Sequence, residues 1–209
     1  MKNNIALFLI GFSPAAGALI LYNRLPETMA THFGLHNEVN GTMNKETAVL
    51  VLALLGLMPF IMRFMRNLDP KRANYNKFTT AFEVSRFGVA LLLAAAGWGM
   101  VVYNLGYHLD MRKVVMIAVG LLYAVMGNYL TQVRRNYMFG IRTPWTLADD
   151  EVWRKTHRLG GPLMMIGGIL ALIAAFLNGT VPIVLFLAII AVTSLIPVIY
   201  SYVLYSRVK

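Results

Sequence analysis

The chain has 209 residues, 58% of them hydrophobic and only 13% charged, with a formal charge of +10 and no cysteine. A soluble domain carries about 25% charged residues, so the balance points to a bilayer, and the missing cysteine excludes disulfides, thiolate metal sites and cysteine nucleophiles. The cations sit at the ends of apolar stretches rather than in one basic run or aromatic–basic face, which argues against direct contact with nucleic acid.

In chain order the apolar stretches predict six transmembrane helices, at 4–22, 47–65, 86–106, 113–131, 161–178 and 181–205, forming an all-α membrane bundle. The first could be mistaken for a signal peptide ending near Ala16-Gly17-Ala18, but its apolar run continues through Leu19-Ile20-Leu21-Tyr22 and reads as a span. The loop at 23–46 contains LPETMATHFGLHNEVNGTMNK, from Leu25 to Lys45. His32, His36 and Glu38 could in principle hold a metal. Gly34, however, interrupts the helix that would align the two imidazoles, so a compact Gly-turned cap without metal is expected.

Pro14, Pro59 and Pro197 fall inside spans and predict kinks. Small residues predict helix seams: Ser13 and Gly17 in the first span, Ala94 to Gly97 in the third, and Gly167, Ala171 and Ala175 in the fifth. No ionisable side chain is expected near the bilayer midplane, which counts against proton-coupled transport. Asn104 and Asn128 are the most polar residues within helices. A tight turn at 177–180 makes the last two spans antiparallel neighbours.

The loop at 132–160 is the most informative polar segment. Gly140 and Pro144 predict a turn in its first half. Thr146 with Asp149 three residues later predicts a helix N-cap and capping box. Asp150–Arg154 and Glu151–Lys155 are expected i,i+4 pairs on a short interfacial helix, which feeds the fifth span at Gly160-Gly161-Pro162. Trp145 and Trp153 suit the headgroup layer. Two readings stay open: a well-capped helix with no ligand, or a surface of Arg142, Trp153, His157 and Arg158 that docks a peptide, a lipid headgroup or a soluble partner.

Fifteen of the nineteen Lys and Arg residues fall at the two termini and in the 2–3 and 4–5 connections. Short cytoplasmic loops carry such an excess, so both termini are expected in the cytoplasm, with anionic lipid favoured at the inner leaflet.

The segment 136–161, NYMFGIRTPWTLADDEVWRKTHRLGG, closely resembles the signature of the SdpI family, and Gly127-Asn128-Tyr129-Leu130 just before it also fits that pattern. The 25–45 loop resembles a small module that often precedes that domain, which divides the chain into 1–80 and 81–209. Asn37 stands where the pattern has Gly, and Asn40 where it has Asp. The resemblance implies a non-enzymatic bacterial plasma-membrane protein that confers immunity to a secreted toxin peptide or protein. It also implies binding of a cytoplasmic transcriptional repressor, with no cofactor and no metal. Candidate partner-binding residues are Asn128, Asn136, Gly140, Arg142, Thr143, Pro144, Trp145, Glu151, Trp153, His157 and Arg158, with His32, His36, Glu38 and Asn40 in the outer loop. Two alternatives remain. A transporter, flippase or channel for a small amphiphile predicts a cavity lined by Asn104, Asn128, Thr193 or Ser194. A headgroup-layer membrane enzyme predicts His157, Arg142 and Glu151 in one pocket.

Overall fold

The computed structural model describes residues 2–177, 179 and 181–208, the side chains at 2 and 208 aside. Met1, Lys209, and Asn178 and Thr180 of the expected 177–180 turn lie outside the described residues.

The chain opens with α1 (Lys2–Ile20) and a short turn, then a β-hairpin of β1 (Thr28–Phe33) and β2 (Val39–Asn44). Two short helices follow, α2 (Lys45–Gly56) and α3 (Met58–Leu68). A 3-10 turn at Arg72–Lys77 leads into α4 (Thr79–Asn104), then α5 (Met111–Leu130). The last three helices are α6 (Pro144–Ala148), α7 (Asp150–Ala175) and α8 (Val181–Val208). Among the described residues, five helices are long and apolar enough to cross a bilayer, and the bent pair α2–α3 makes a sixth crossing if taken as one span. The most apolar window of α8 is only 11% buried. A helix that apolar and that exposed needs lipid around it, because a water-facing helix would carry a polar face. The all-α membrane architecture therefore stands.

Packing is serial. α1 lies against α2 and α4, α4 against α5, α5 against α7, and α7 against α8. The α5–α7 seam is a backbone contact: a Cβ on Gly127 would fall 2.7 Å from the Gly161 carbonyl oxygen, and one on Gly168 would fall 2.6 Å from that of Gly120. Small residues let helices approach this closely, and in lipid that packing is the main attraction between them. The expected seams also form. Gly17 lies beneath the Trp98 ring, Gly97 meets Leu52 and Pro14, and Gly167 meets Thr193.

Several local expectations need correction. The second span is not one helix: α2 and α3 meet at a 44° bend at Leu57, and Pro59 opens α3 instead of kinking a continuous helix. Proline fits the first turn of a helix, where its missing N–H would have no partner. The third span begins at Thr79, so Arg86 lies two turns inside α4 rather than at its edge. It is fully buried there. Its Nε donates to the Pro59 carbonyl (2.8 Å), its Nη1 pairs with Glu83, and its Nη2 donates to Asn4 Oδ1. That one side chain ties α1, the α2–α3 break and α4 together.

The 132–160 segment is also built differently. Thr143, not Thr146, is the N-cap of the short α6, and its capping-box partner is Thr146. Asp149 caps the next helix, accepting from the Glu151 and Val152 amides at 2.7 and 2.8 Å. That helix, α7, runs unbroken through Gly160, Gly161 and Pro162 into the fifth span. Glu151 pairs with Lys155 as expected (2.8 Å), but Asp150 pairs across with Arg135 (2.7 Å) rather than with Arg154.

Candidate functional site

Two regions, one at each end of the bundle, gather the candidate residues. At the end that bears the N-terminus, the 134–158 segment folds into a knot around Asn136. The Asn136 amide donates to the carbonyls of Arg134 (2.8 Å) and Phe139 (2.9 Å), and its Oδ1 accepts from the Met138 and Phe139 amides and from the Tyr75 hydroxyl. A side-chain amide that closes its own turn in this way substitutes for backbone pairing. Asp69, buried next to it, accepts from the Lys71 amide, the Tyr75 hydroxyl and the Tyr137 amide. Burial, and then the adjacent Asp69, push the Tyr75 hydroxyl well above the ordinary tyrosine range. Tyr75, Phe78, Phe82, Leu130, Val133 and Trp153 form the apolar body under this network.

His157 closes the knot from α7. Its Nε2 accepts from the Ile141 amide (3.0 Å), which fixes the Nδ1–H tautomer, and that hydrogen faces the Trp153 carbonyl (2.9 Å). Both ring nitrogens are engaged, so the imidazole is not free to accept a substrate proton. Gly140 sits against it at φ +105°, and a Cβ there would fall 2.5 Å from Nε2. Trp153 is only 2% exposed, stacks on His157 at 4.1 Å, and donates its indole N–H to the Val133 carbonyl. Held this way, Trp153 and His157 pack the knot with their polar hydrogens spent inside the protein.

The remaining residues of this segment divide by exposure. Arg142 and Arg158 are exposed, and Arg142 Nη1 donates to the Tyr137 carbonyl (2.7 Å). Thr143 is buried and bonds Ser201 of α8 (3.0 Å). Pro144 opens α6, and Trp145 packs on Tyr202 at 5.1 Å. Asn128 is exposed on α5. Glu151 pairs with Lys155, so His157, Arg142 and Glu151 have separate partners and line no common cavity. A cavity of about 370 Å³ between α5, α7 and α8 is lined by Tyr123, Arg142, Thr193 and Ser194. Asn104 and Asn128 are not part of it.

At the opposite end, the outer loop is a β-hairpin and not only a Gly-turned cap. Asn104, at the end of α4, holds it as a neighbouring strand would: its Oδ1 accepts from the Ala30 amide (2.8 Å) and its Nδ2 donates to the Ala30 carbonyl (2.9 Å). Asn37 supplies the second attachment. It adopts φ +64°, a region open to Gly and tolerated by Asn, so its presence where the family pattern has Gly keeps the turn. Its side chain bridges Leu109 and Met111 at the start of α5. Asp110 caps α5 and bonds Arg112, which holds its carboxyl below the usual range.

Under the hairpin lies a cavity of about 730 Å³ between α2, α4, α5 and α8. Met43, Met100, Met111 and Met116 make much of its wall, and His32, Glu38, Asn40 and Arg112 lie at its polar side. Methionine walls adapt to irregular apolar guests. His32 Nδ1 faces Thr31 Oγ1 (3.1 Å), while His36 is exposed and its amide donates to Glu38 (2.8 Å). Among the described residues no three His, Asp or Glu side chains converge as metal ligands. Reading the sequence alone missed Asp69, Tyr75 and Arg112. The signal for Asp69 was an acid directly before Pro70 in a largely basic connection.

The fold and these two sites define a small multi-pass helical membrane protein with a hairpin-capped cavity at one end and a folded polar knot at the other. Residues 132–201, which contain the knot, match the SdpI/YfhL protein family, and residues 9–62 match a domain of unknown function, DUF1648. Immunity protein SdpI of Bacillus subtilis (strain 168) is 24% identical over 209 residues, covering 100% of this chain and 99% of that protein. The C-terminal third of this helical membrane protein therefore carries the SdpI/YfhL-family segment. No solved structure matches the chain.

Proposed function

We propose that the protein sits in the bacterial plasma membrane with both termini in the cytoplasm and protects its host from a secreted antimicrobial peptide or protein. The observation that carries this reading is the end-to-end similarity to an immunity protein, which spans the hairpin, the cavity and the knot together. In this orientation the hairpin and its methionine-lined cavity face outward, where a secreted toxin arrives. The knot faces the cytoplasm and presents exposed Arg142 and Arg158. Those two cations suit an acidic face on a soluble transcriptional repressor, held at the membrane by charge complementarity.

The test is survival. A susceptible bacterium expressing the wild-type chain is challenged with the toxin encoded nearest to its gene, beside a strain expressing Arg142→Ala at equal membrane level. Wild-type protection is expected, with Arg142→Ala losing it. Absence of protection by the wild type at full expression would overturn the immunity reading. The two cavities then favour handling of a small amphiphile.

A further inference from the structure

The knot carries a second, smaller cavity of about 240 Å³ that none of the roles above uses. It lies between the Arg72–Lys77 turn, the end of α5 and the first turns of α7, and Lys77, Arg134, Arg135 and Arg154 all line it. A single carboxyl, Asp150, faces these four cations, and its Oδ1 is 2.7 Å from Arg135 Nε. Among the described residues Lys77, Arg134 and Arg154 form no ion pair. Four cations around one small space repel one another unless an anion joins them.

The remaining wall tells what kind of anion fits. Trp153 and His157 line the cavity but spend their polar hydrogens inside the protein, on the Val133 and Trp153 carbonyls. Recognition therefore falls to guanidinium and ammonium groups, whose geometry suits phosphate. Depth adds a second constraint. α5 has no charged residue between Lys113 and its end at Leu130, and α7 has none after Arg158. Arg154 stands five residues before Leu159, about 8 Å along the helix, which is roughly the thickness of one headgroup layer.

We propose that this cavity binds a phosphate group, from an anionic phospholipid headgroup or from free phosphate. The site is independent of the immunity reading.

The test uses the full chain purified in neutral maltoside detergent, with native mass spectrometry counting retained lipid. Phosphatidylglycerol should be retained over phosphatidylcholine by the wild type. Arg134→Gln/Arg154→Gln should retain at least about tenfold less, as two cations at an anionic surface imply. Both arginines are exposed, so the variant keeps its fold, which far-ultraviolet circular dichroism checks. The control is Arg63→Gln/Arg72→Gln, which removes the same charge from exposed positions at the same end, outside the cavity. Displacement of the lipid by millimolar inorganic phosphate assigns the site to free phosphate, and resistance assigns it to the headgroup; either sustains a phosphate site. Equal loss in the control pair, or equal retention by all three proteins, overturns it.

Discussion

Replacing Asn136 by Asp changes one group in a fully buried network and keeps its shape. In the native chain the amide donates at 2.8 and 2.9 Å to two carbonyls, while Oδ1 accepts from two amides and the Tyr75 hydroxyl. The aspartyl group keeps the acceptor side and loses both donors. A carboxylate would then face the Arg134 and Phe139 carbonyls, with Asp69 bonded to the same tyrosine. Burial resists that charge, so the group takes up a proton, which satisfies one carbonyl and leaves the other unpaired. One lost hydrogen bond contributes about 1 kcal/mol, and an orphaned buried acceptor costs about 1–3 kcal/mol. Local destabilisation of about 2–4 kcal/mol at neutral pH is expected, which raises the open population of the 134–143 loop by roughly 30- to 1000-fold. Limited trypsin digestion in detergent, followed at Arg135 and Arg142, measures this directly. The group is protonated when folded and ionised when unfolded at neutral pH, so folding must take up a proton. That cost falls as pH approaches the unfolded value of about 3.9, and the defect, read by hydrogen exchange, should shrink between pH 7 and pH 4. Digestion at the wild-type rate would refute the claim that Asn136 holds the loop closed.

Gly140→Ala, forced to φ +105° against His157 Nε2, should destabilise the knot by about 1–3 kcal/mol and lower the thermal midpoint in detergent. Thr156→Val should do the reverse: its hydroxyl is buried with no hydrogen-bond partner, and removing it should stabilise the chain by about 1 kcal/mol, read in the same melt. Asn104→Ala should release the hairpin, which hydrogen exchange at the Ala30 amide would show as a loss of protection of at least about tenfold. Asp110 is held below the usual carboxylate range, so its stabilisation of the α5 start is complete above the unfolded value of about 3.9 and is lost as pH falls through its lower folded value. Acid titration followed by exchange at the Arg112 amide should therefore show opening only in that acid window, and Asp110→Ala should remove the window altogether.

The spans were legible in the sequence because twenty-residue apolar runs have few other readings. The hairpin was not. Thr28–Phe33 and Val39–Asn44 lack a clean alternation; they are strands by pairing with each other, and the pair is anchored at Ala30 by Asn104, a residue far along the chain. The break at Leu57 was hidden because the run across it stays apolar, although α2 alone, at about 18 Å, is too short to cross. The family segment is legible in the sequence, but the burial of its residues is not. Trp153 and His157 look like surface residues beside Arg154 and Arg158, but the fold buries them against Val133 and Ile141. Pairing of Asp69 with Tyr137 has no sequence signal, since it depends on two connections meeting at one end of the bundle.

That meeting has a consequence for how the chain is made. Synthesis is vectorial, and the Arg86 clamp closes on groups that all lie upstream of it, so the first half can settle soon after residue 86 emerges. Asp69 must wait until Tyr137 and Asn136 are built, two crossings later. A chain released between those points would expose a half-satisfied carboxyl at the membrane surface. Until then the turn that carries Asp69 is held by fewer bonds than the rest of the first half and opens more readily.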